Sequence, residues 1–542
     1  MDRFDRSESL SAMKSGTYDV VVMGAGMTGA GVAVDAASRG LKVALIDAGD
    51  IASGTSSKSS KMVHGGLRYL QQKEFRLVYE NLRERQRLLE NAPFLIRRLP
   101  FLIPLFGKNG VASKTLVKGY ATALRIYDFT GGWRIGSRYR KISKQEALTH
   151  LPTLKTDQLV AGFLYLDARG DDARVALTLA KTAALDFNAD VANYVRAIDV
   201  QYDSHGRVRA LTCRDEVSKE TFVVATTALV NATGVWADSI FSMAEHESSH
   251  RITPAKGIHL SVPRARLPVD VAAVLTVPND RRGIFVVPFE EAPYTYIGTT
   301  DTAFDGDLNE PACTPQDVAY LLDAVNTWTS SNLTPEDITG VWAGLRPLLA
   351  PRDGTALSER TADLSRRHQV TDTEDGVIHI TGGKWTTYRQ MAQDTVDALA
   401  PYVKKLGRVQ TKNLRLHGYG TWKPTSRLET HLYQRYGDDA RKVLALIRED
   451  ASLEKALIDN QPYIAAEFVF AASEEMSTSL VDLLTRRTRA HLFDARATLK
   501  ATPAIANVVA PVYGWSDERR IDEVREYEQL VASELSAAGL AL

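Results

Sequence analysis

Gly24, Gly26 and Gly29 stand in the spacing G-x-G-x-x-G, with Met27 and Thr28 inside the motif and Asp47 downstream of it. These residue types can hold a dinucleotide. The first glycine permits a tight turn, the second lets a pyrophosphate approach the backbone, and the third lets helix and strand pack closely. Free N–H groups at the helix start would face phosphate, and the acid would accept a ribose hydroxyl. Thr55, Ser56, Ser57, Ser59 and Ser60 then form a hydroxyl-rich run that leads into His64, Gly65, Gly66, Leu67, Arg68 and Tyr69. A flexible serine-rich linker is the plain alternative. A linker, however, does not end in His-Gly-Gly-x-Arg-Tyr, where paired glycines bring backbone against a flat group and basic side chains flank it.

The elements around these residues are in the right order to position them. Residues 18–23 form a short β-branched run, residues to about 39 a small-residue helix, and residues 42–46 a second apolar strand. Residues 74–90 read as an amphipathic helix with Phe75, Val78, Leu82 and Leu88 or Leu89 on its apolar face. Residues 93–106 are apolar, basic and interrupted by prolines, which predicts a buried edge strand of a second sheet, with a membrane-facing loop as the alternative. Over residues 114–129 a helix would gather Leu116, Tyr120, Leu124 and Tyr127, bordered by Lys114, Lys118 and Arg125. That face suits either anionic lipid or the chain's own core. Asp167, Asp171 and Asp172 match no metal-loop spacing and are expected as helix-start acids. Further strands are expected at 192–195, 222–230, 255–263, 284–289, 296–301 and 341–349. From about residue 403 the pattern turns helical, over 425–436, 440–449, 463–474, 476–498 and 516–538. Arg486, Arg487 and Arg489 then belong to a solvated or interdomain face.

Bulk properties narrow the class. A chain of 542 residues should hold two or three domains. Lys plus Arg equals Asp plus Glu at 66 each, so no overall field recruits nucleic acid, and any anion site must be built locally. Cys213 and Cys313 alone argue against a disulfide framework, and no metal site is expected. Residues 1–16 lack the apolar core of a signal peptide, and no uncharged apolar run reaches the ~18 residues that span a bilayer. The expected location is cytoplasmic, or peripheral on the cytoplasmic face of a membrane.

The string SSKSSKMVHGGLRYL, residues 56–70, resembles the flavin-binding start of the FAD-dependent glycerol-3-phosphate dehydrogenases, within the D-amino-acid-oxidase-like flavoenzymes. The resemblance continues in order to the tail. It includes Asn231-Ala232-Thr233-Gly234 after a strand, Lys-Gly-x-His ending at His259, Gly-x-Arg-Pro-Leu around Arg346, and ITGGKWTTYR at 380–389. The segment 479–494 resembles the tail domain that separates these dehydrogenases from smaller amine oxidases. Asp47 stands where many FAD proteins carry Glu, and either acid can hold the ribose.

The resemblance implies an α/β fold with an α+β substrate part. A two-dinucleotide-binding FAD domain (about 17–90, 160–250 and 355–400) would carry an inserted antiparallel-sheet substrate domain (about 91–159 and 251–354). A C-terminal all-α domain would cover 401–542. It implies FAD as cofactor, touched by the glycine motif, Asp47, the hydroxyl run, His64, Gly65, Gly66, Val195, Ala232, Thr233, Gly234, Gly383, Lys384 and Thr386. A lone His on an apolar strand is by default a core residue; the resemblance places His259 in the active site. It implies His259 as base, Arg346 as alkoxide stabiliser and His64 beside the flavin. Arg68, Tyr69, Arg346, Arg360 and Lys384 would bind substrate, Arg360 standing one residue off the expected spacing. The implied reaction oxidises sn-glycerol 3-phosphate to dihydroxyacetone phosphate, with quinone as acceptor, a peripheral membrane surface and room for a homodimer. Two alternatives stay open: an oxidase passing electrons to oxygen, and a non-catalytic flavin- or partner-binding module.

Overall fold

The computed structural model describes residues 4–71, 74–107, 114–244, 252–277, 282–349 and 367–542. The dinucleotide elements lie in a six-stranded sheet. Its order is His368–Asp372, Val377–Gly382, Leu229–Asn231, Val20–Met23, Val43–Ile46 and Asp190–Ala192, all parallel except the first pair. Val20–Met23 is buried throughout because both faces of the sheet are covered. Val20 and Val22 pack among the helices Met27–Ser38, Asp172–Lys181 and Tyr388–Ala398. Val21 and Met23 pack toward a smaller sheet that contains Val195–Tyr202, Val208–Asp215 and Thr221–Thr226.

A larger, mostly antiparallel sheet carries the rest of the candidate site. It runs from Thr302–Ala303 through Ile252–Pro263, Tyr294–Gly298, Gly283–Pro288, Ala272–Thr276, Ile96–Phe106 and Leu159–Gly170 to Met62–Val63. Gly340–Leu349 pairs with Ile252–Pro263, off this path.

This sheet corrects three expectations. Ile96–Phe106 is interior rather than an edge. It pairs along its whole length with Leu159–Gly170, and Phe101 and Leu102 also meet Ala272 and Ala273. Pro100 and Pro104 share one parity, so both missing N–H groups fall on one side of the strand. One short contact on the other flank tolerates them. Leu159–Gly170 belongs to this sheet, so the chain returns to the nucleotide-binding layers at Asp171 instead of near residue 160. Asp167 therefore sits on a strand. Asp171 does start a helix, its carboxylate accepting from Arg174 N at 3.2 Å.

Helix Lys114–Phe129 forms, but Leu124 and Tyr127 are buried against the larger sheet's core, so that part of the expected lipid face is packed inward. In the helix Phe75–Asn91, Val78, Leu82 and Leu88 are buried as expected, whereas Phe75 is 47% exposed.

The tail is helical, with one departure. The expected helix over 476–498 is broken into Leu480–Asp482, a π-turn at Leu483–Arg487 and Ala490–Phe493. A long helix, Ala495–Tyr513, follows and contains Pro503 and Pro511, the residues that hid it in the sequence. The broken stretch docks on the larger sheet. Phe493 packs 4.6 Å from the Phe289 ring, and the Ser261 hydroxyl donates to Leu492 O at 2.5 Å.

Candidate active site

The glycine turn admits nothing larger than glycine where it matters most. Gly24 has φ +102°, and a Cβ on Gly29 would stand 1.8 Å from the Gly24 carbonyl oxygen. Gly26 caps Met27–Ser38 without a side chain, and the first intrahelical bond runs from Ala30 N to Gly26 O. The amides ahead of Ala30 thus have no partner within the helix, the geometry that receives phosphate. One of them is taken: Met27 N donates to Ser56 Oγ at 2.8 Å. Asp47 accepts from Ala25 N at 2.6 Å and Gly49 N at 2.9 Å, yet its shielding from water pushes the carboxyl up to about 6. Val195 N donates to Asp47 O at 2.6 Å, and the Ala232 backbone closes over Gly24, so Val195 and Ala232 lie beside the glycine turn and its acid.

The His-Gly-Gly turn is fixed from below. Gly65 N donates to Tyr127 Oη at 2.8 Å, Tyr127 Oη–H donates to Asp167 at 2.6 Å, and Arg85 pairs with Asp167 at 2.6 Å. Asn81 Nδ2 donates to Gly65 O at 3.1 Å. Facing this turn is the Gly382–Gly383 bend, both residues at positive φ, followed by a short 3₁₀ turn Trp385–Thr387 and helix Tyr388–Ala398. That helix is anchored by Arg389 and Glu84 at 2.7 Å. The result brings Lys384 Nζ 3.9 Å over the Tyr69 ring centroid. Burial, then Lys384 and Arg85, push the His64 imidazole down to about 3. Neutral His64 is the form available at physiological pH.

The second half of the site lies on the larger sheet. His259 is level with Gly298 on one neighbouring strand and Trp342 on the other; Phe285 is level with Gly298 on the far side. Residues in direct register share a face. By strand alternation Gly257 and its partner Gly344 share that face too. On this face the three glycines let the His259 ring, the Arg346 guanidinium and the Lys58 backbone lie directly against the sheet. A Cβ at Gly257 would meet the Arg346 guanidinium at 2.4 Å, and one at Gly344 would meet Lys58 O at 2.8 Å. His64 approaches the same sheet face edge-on to Phe285, 6.4 Å between centroids.

His259 stacks on Trp342 at 4.8 Å, and its Nε2 shares a hydrogen bond with Ser60 Oγ at 2.7 Å. Among the described residues its Nδ1, also buried, has no hydrogen-bond partner. Burial, then Lys61 and Arg346, hold the imidazole well below its ordinary pKa. Arg346 donates to Thr299 Oγ1 and Thr300 O, each at 3.1 Å, and faces Asp301 at 3.4 Å.

The structure thus gathers His64, Tyr69 and Lys384 on one side and His259 and Arg346 on the other, with Phe285 between. Arg360 lies outside the described residues, and so does the side chain of Arg68. Ser60, named for the cofactor, hydrogen-bonds His259. Two contributors were missed. Trp342 supports the imidazole; its period-two relation to Gly344 and Arg346 was the available signal. Asp50 anchors the cofactor loop, and nothing local in the sequence marks it.

Backbone with no room for a Cβ, first-turn amides without helical partners and an acid at the strand end fit an adenine dinucleotide. Comparison with known proteins agrees. Residues 19–390 match the FAD dependent oxidoreductase family model, and residues 377–520 match the C-terminal domain of alpha-glycerophosphate oxidase. Glycerol-3-phosphate dehydrogenase 2 of Mycobacterium tuberculosis is 38% identical over 535 residues, covering 96% of this chain and 88% of that protein. The mitochondrial glycerol-3-phosphate dehydrogenase of Homo sapiens is 32% identical, covering 98% and 75%. Among solved structures, the glycerol-3-phosphate dehydrogenase of Bacillus halodurans complexed with FAD superposes with TM-score 0.77 at 27% identity, covering 98% of each chain.

Proposed function

Since the chain belongs to the FAD-dependent oxidoreductases, in the glycerol-3-phosphate dehydrogenase family, we propose that it oxidises sn-glycerol 3-phosphate to dihydroxyacetone phosphate and delivers the electrons to a quinone. The observation that carries this reading is the convergence of His259 and Arg346, both seated against glycines of the larger sheet, with His64, Tyr69 and Lys384 on the other side of Phe285. A polyol phosphate needs a base at its hydroxyl, and its dianion needs cations beyond those that serve that hydroxyl.

When bound, FAD supplies the two-electron acceptor, held by the glycine turn, Asp47 and the loop to Ser60. His259 takes the hydroxyl proton. It is neutral at working pH and fixed in orientation by Ser60 and Trp342. Arg346 steadies the negative charge that develops as that proton leaves. Lys384 and Arg68 hold the phosphate, with Arg360 as a further cation.

An anaerobic visible spectrum titrated with sn-glycerol 3-phosphate tests this. The yellow protein should bleach, then regain colour faster with a quinone analogue than with air. Fast recovery in air with hydrogen peroxide formed would assign an oxidase instead. A flavin that does not bleach would overturn the substrate.

A peripheral membrane location belongs to the same proposal. Its support is an aromatic surface next to helix Lys114–Phe129, where Phe129 is 89% and Trp133 56% exposed. The Arg134 guanidinium lies 5.5 Å from the Tyr79 ring centroid and 5.6 Å from that of Trp133. Rings with a cation among them suit a headgroup layer. F129A/W133A should lower flotation with anionic liposomes by roughly tenfold, the loss of about 1.4 kcal/mol of the burial two such rings can contribute. Unchanged flotation would remove this surface from consideration.

A further inference from the structure

The loop from Asp47 to Lys61 lies beside the glycine turn at one end and His259 at the other, and its buried Asp50 is held chiefly by the distant tail. Asp50 is buried. Its carboxylate accepts from Arg487 through two N–H groups at 2.7 Å each, from Arg486 Nε at 2.6 Å and from Asn193 Nδ2 at 2.9 Å. Arg487 Nε also donates to Glu475 O at 2.8 Å, and its own carbonyl accepts from Arg174 and Arg435. Farther along the loop, Arg489 donates to Ser57 O and faces Asp172 at 3.4 Å. Lys61 reaches the same two groups, Ser57 O at 3.2 Å and Asp172 at 3.0 Å. Two-pronged guanidinium contacts fix direction as well as distance. Ser56, which caps the glycine helix, lies between these clamped points.

We propose that Arg486, Arg487 and Arg489 are positioning residues for the cofactor: the helical tail sets the affinity for FAD by clamping the loop that carries Asp47 and Ser56. This rests on FAD binding at the glycine turn described above.

The electrostatics make the idea separable from a general loss of packing. Among the described residues, the charged groups that act most on Asp47 are Asp50 from its own turn and Arg486 from the tail. Asp50 raises its pKa and Arg486 lowers it, while the glycine turn presents only the Ala25 amide and the turn only that of Gly49. Ribose hydroxyls donate to the carboxylate form, so FAD should bind best above about pH 6 and weaken as pH falls. Sign follows from charge. R486Q should move the midpoint of FAD affinity against pH upward, and D50N should move it downward. R486K keeps the charge without the fork, and should weaken FAD ~10-fold with the midpoint unmoved.

The measurement is FAD dissociation from the holoenzyme between pH 5 and 9, followed by flavin fluorescence, for wild type, R486Q, R486K, D50N and D47N. Opposite midpoint shifts in R486Q and D50N, with D47N giving a flat profile, are the expected result. Shifts in the same direction, R486K moving like R486Q, or D47N retaining the wild-type profile would each overturn the proposal. Wild-type protein that binds no FAD at any pH would instead overturn the cofactor assignment. R486K and D47N change the fewest contacts and keep the test decisive if R486Q does not fold.

Discussion

H259N is expected to lose about 10²- to 10⁴-fold in kcat, the usual contribution of a positioned general base, while its FAD stays bound. Asparagine can still reach Ser60 with a polar atom, so the loop keeps an anchor. What it lacks is a basic lone pair. The imidazole in place is unusual in needing no carboxylate partner, because burial, then Lys61 and Arg346, keep it neutral. Its position is set instead by the Trp342 stack and the Ser60 hydrogen bond. The loss should fall on kcat and leave KM for sn-glycerol 3-phosphate within a few-fold, since the cations that hold phosphate are elsewhere. Steady-state kinetics on yellow, FAD-saturated protein make the comparison. A turnover number within threefold of wild type would show that His259 is not the base. If H64N then proved inactive, the role would pass to His64, the other imidazole held neutral beside the site.

Gly29→Ala should weaken FAD binding. The added Cβ would stand 1.8 Å from Gly24 O and 3.0 Å from Gly24 C, and both are backbone atoms that cannot swing away. Relief requires the turn to open or the helix Met27–Ser38 to back off the strand. Either movement withdraws the amides that face phosphate. Overpacking of this kind costs about 1–3 kcal/mol, so FAD affinity should fall by ~10- to 100-fold. Fluorescence titration of apoprotein measures it. The control is Gly119→Ala, whose Cβ meets nothing within 4 Å and should change nothing. A Gly29→Ala protein with wild-type affinity would mean that the glycine turn does not hold the cofactor.

Legibility in the sequence followed the range of the interaction. Gly24, Gly29 and Asp47 were readable because strand, turn, helix and strand are consecutive, and each residue's role depends on neighbours within the same unit. His259 and Arg346 were readable only through resemblance. Their pairing arises from strand register across Gly298 and Gly344, and a sequence does not display register. Arg487 shows the limit. Its polar stretch allowed a solvated or an interdomain face; it is 1% exposed against Asp50, 437 residues away, which fits the second, and the sequence could not name that partner. The prolines of Ile96–Phe106 and Ala495–Tyr513 failed in the same manner. Proline removes a donor, but whether that donor was needed depends on what lies alongside.

The Asp50–Arg487 pair also bears on how the protein is made. Domains usually fold in order as they leave the ribosome, at about 5–20 residues per second. Here the central strand Val20–Met23 takes one neighbour from Val43–Ile46 at once, but waits for Leu229–Asn231 to supply the other. The Asp50 carboxylate waits longer still. Synthesis of the intervening 437 residues takes roughly 20–90 s at those speeds. For the first part of that interval a strand edge stays open, and throughout it an acid meant for the interior stays in water. Vectorial folding cannot finish the nucleotide-binding layers by themselves, and a chain terminated before residue 486 keeps its glycine motif while leaving Asp50 without either guanidinium.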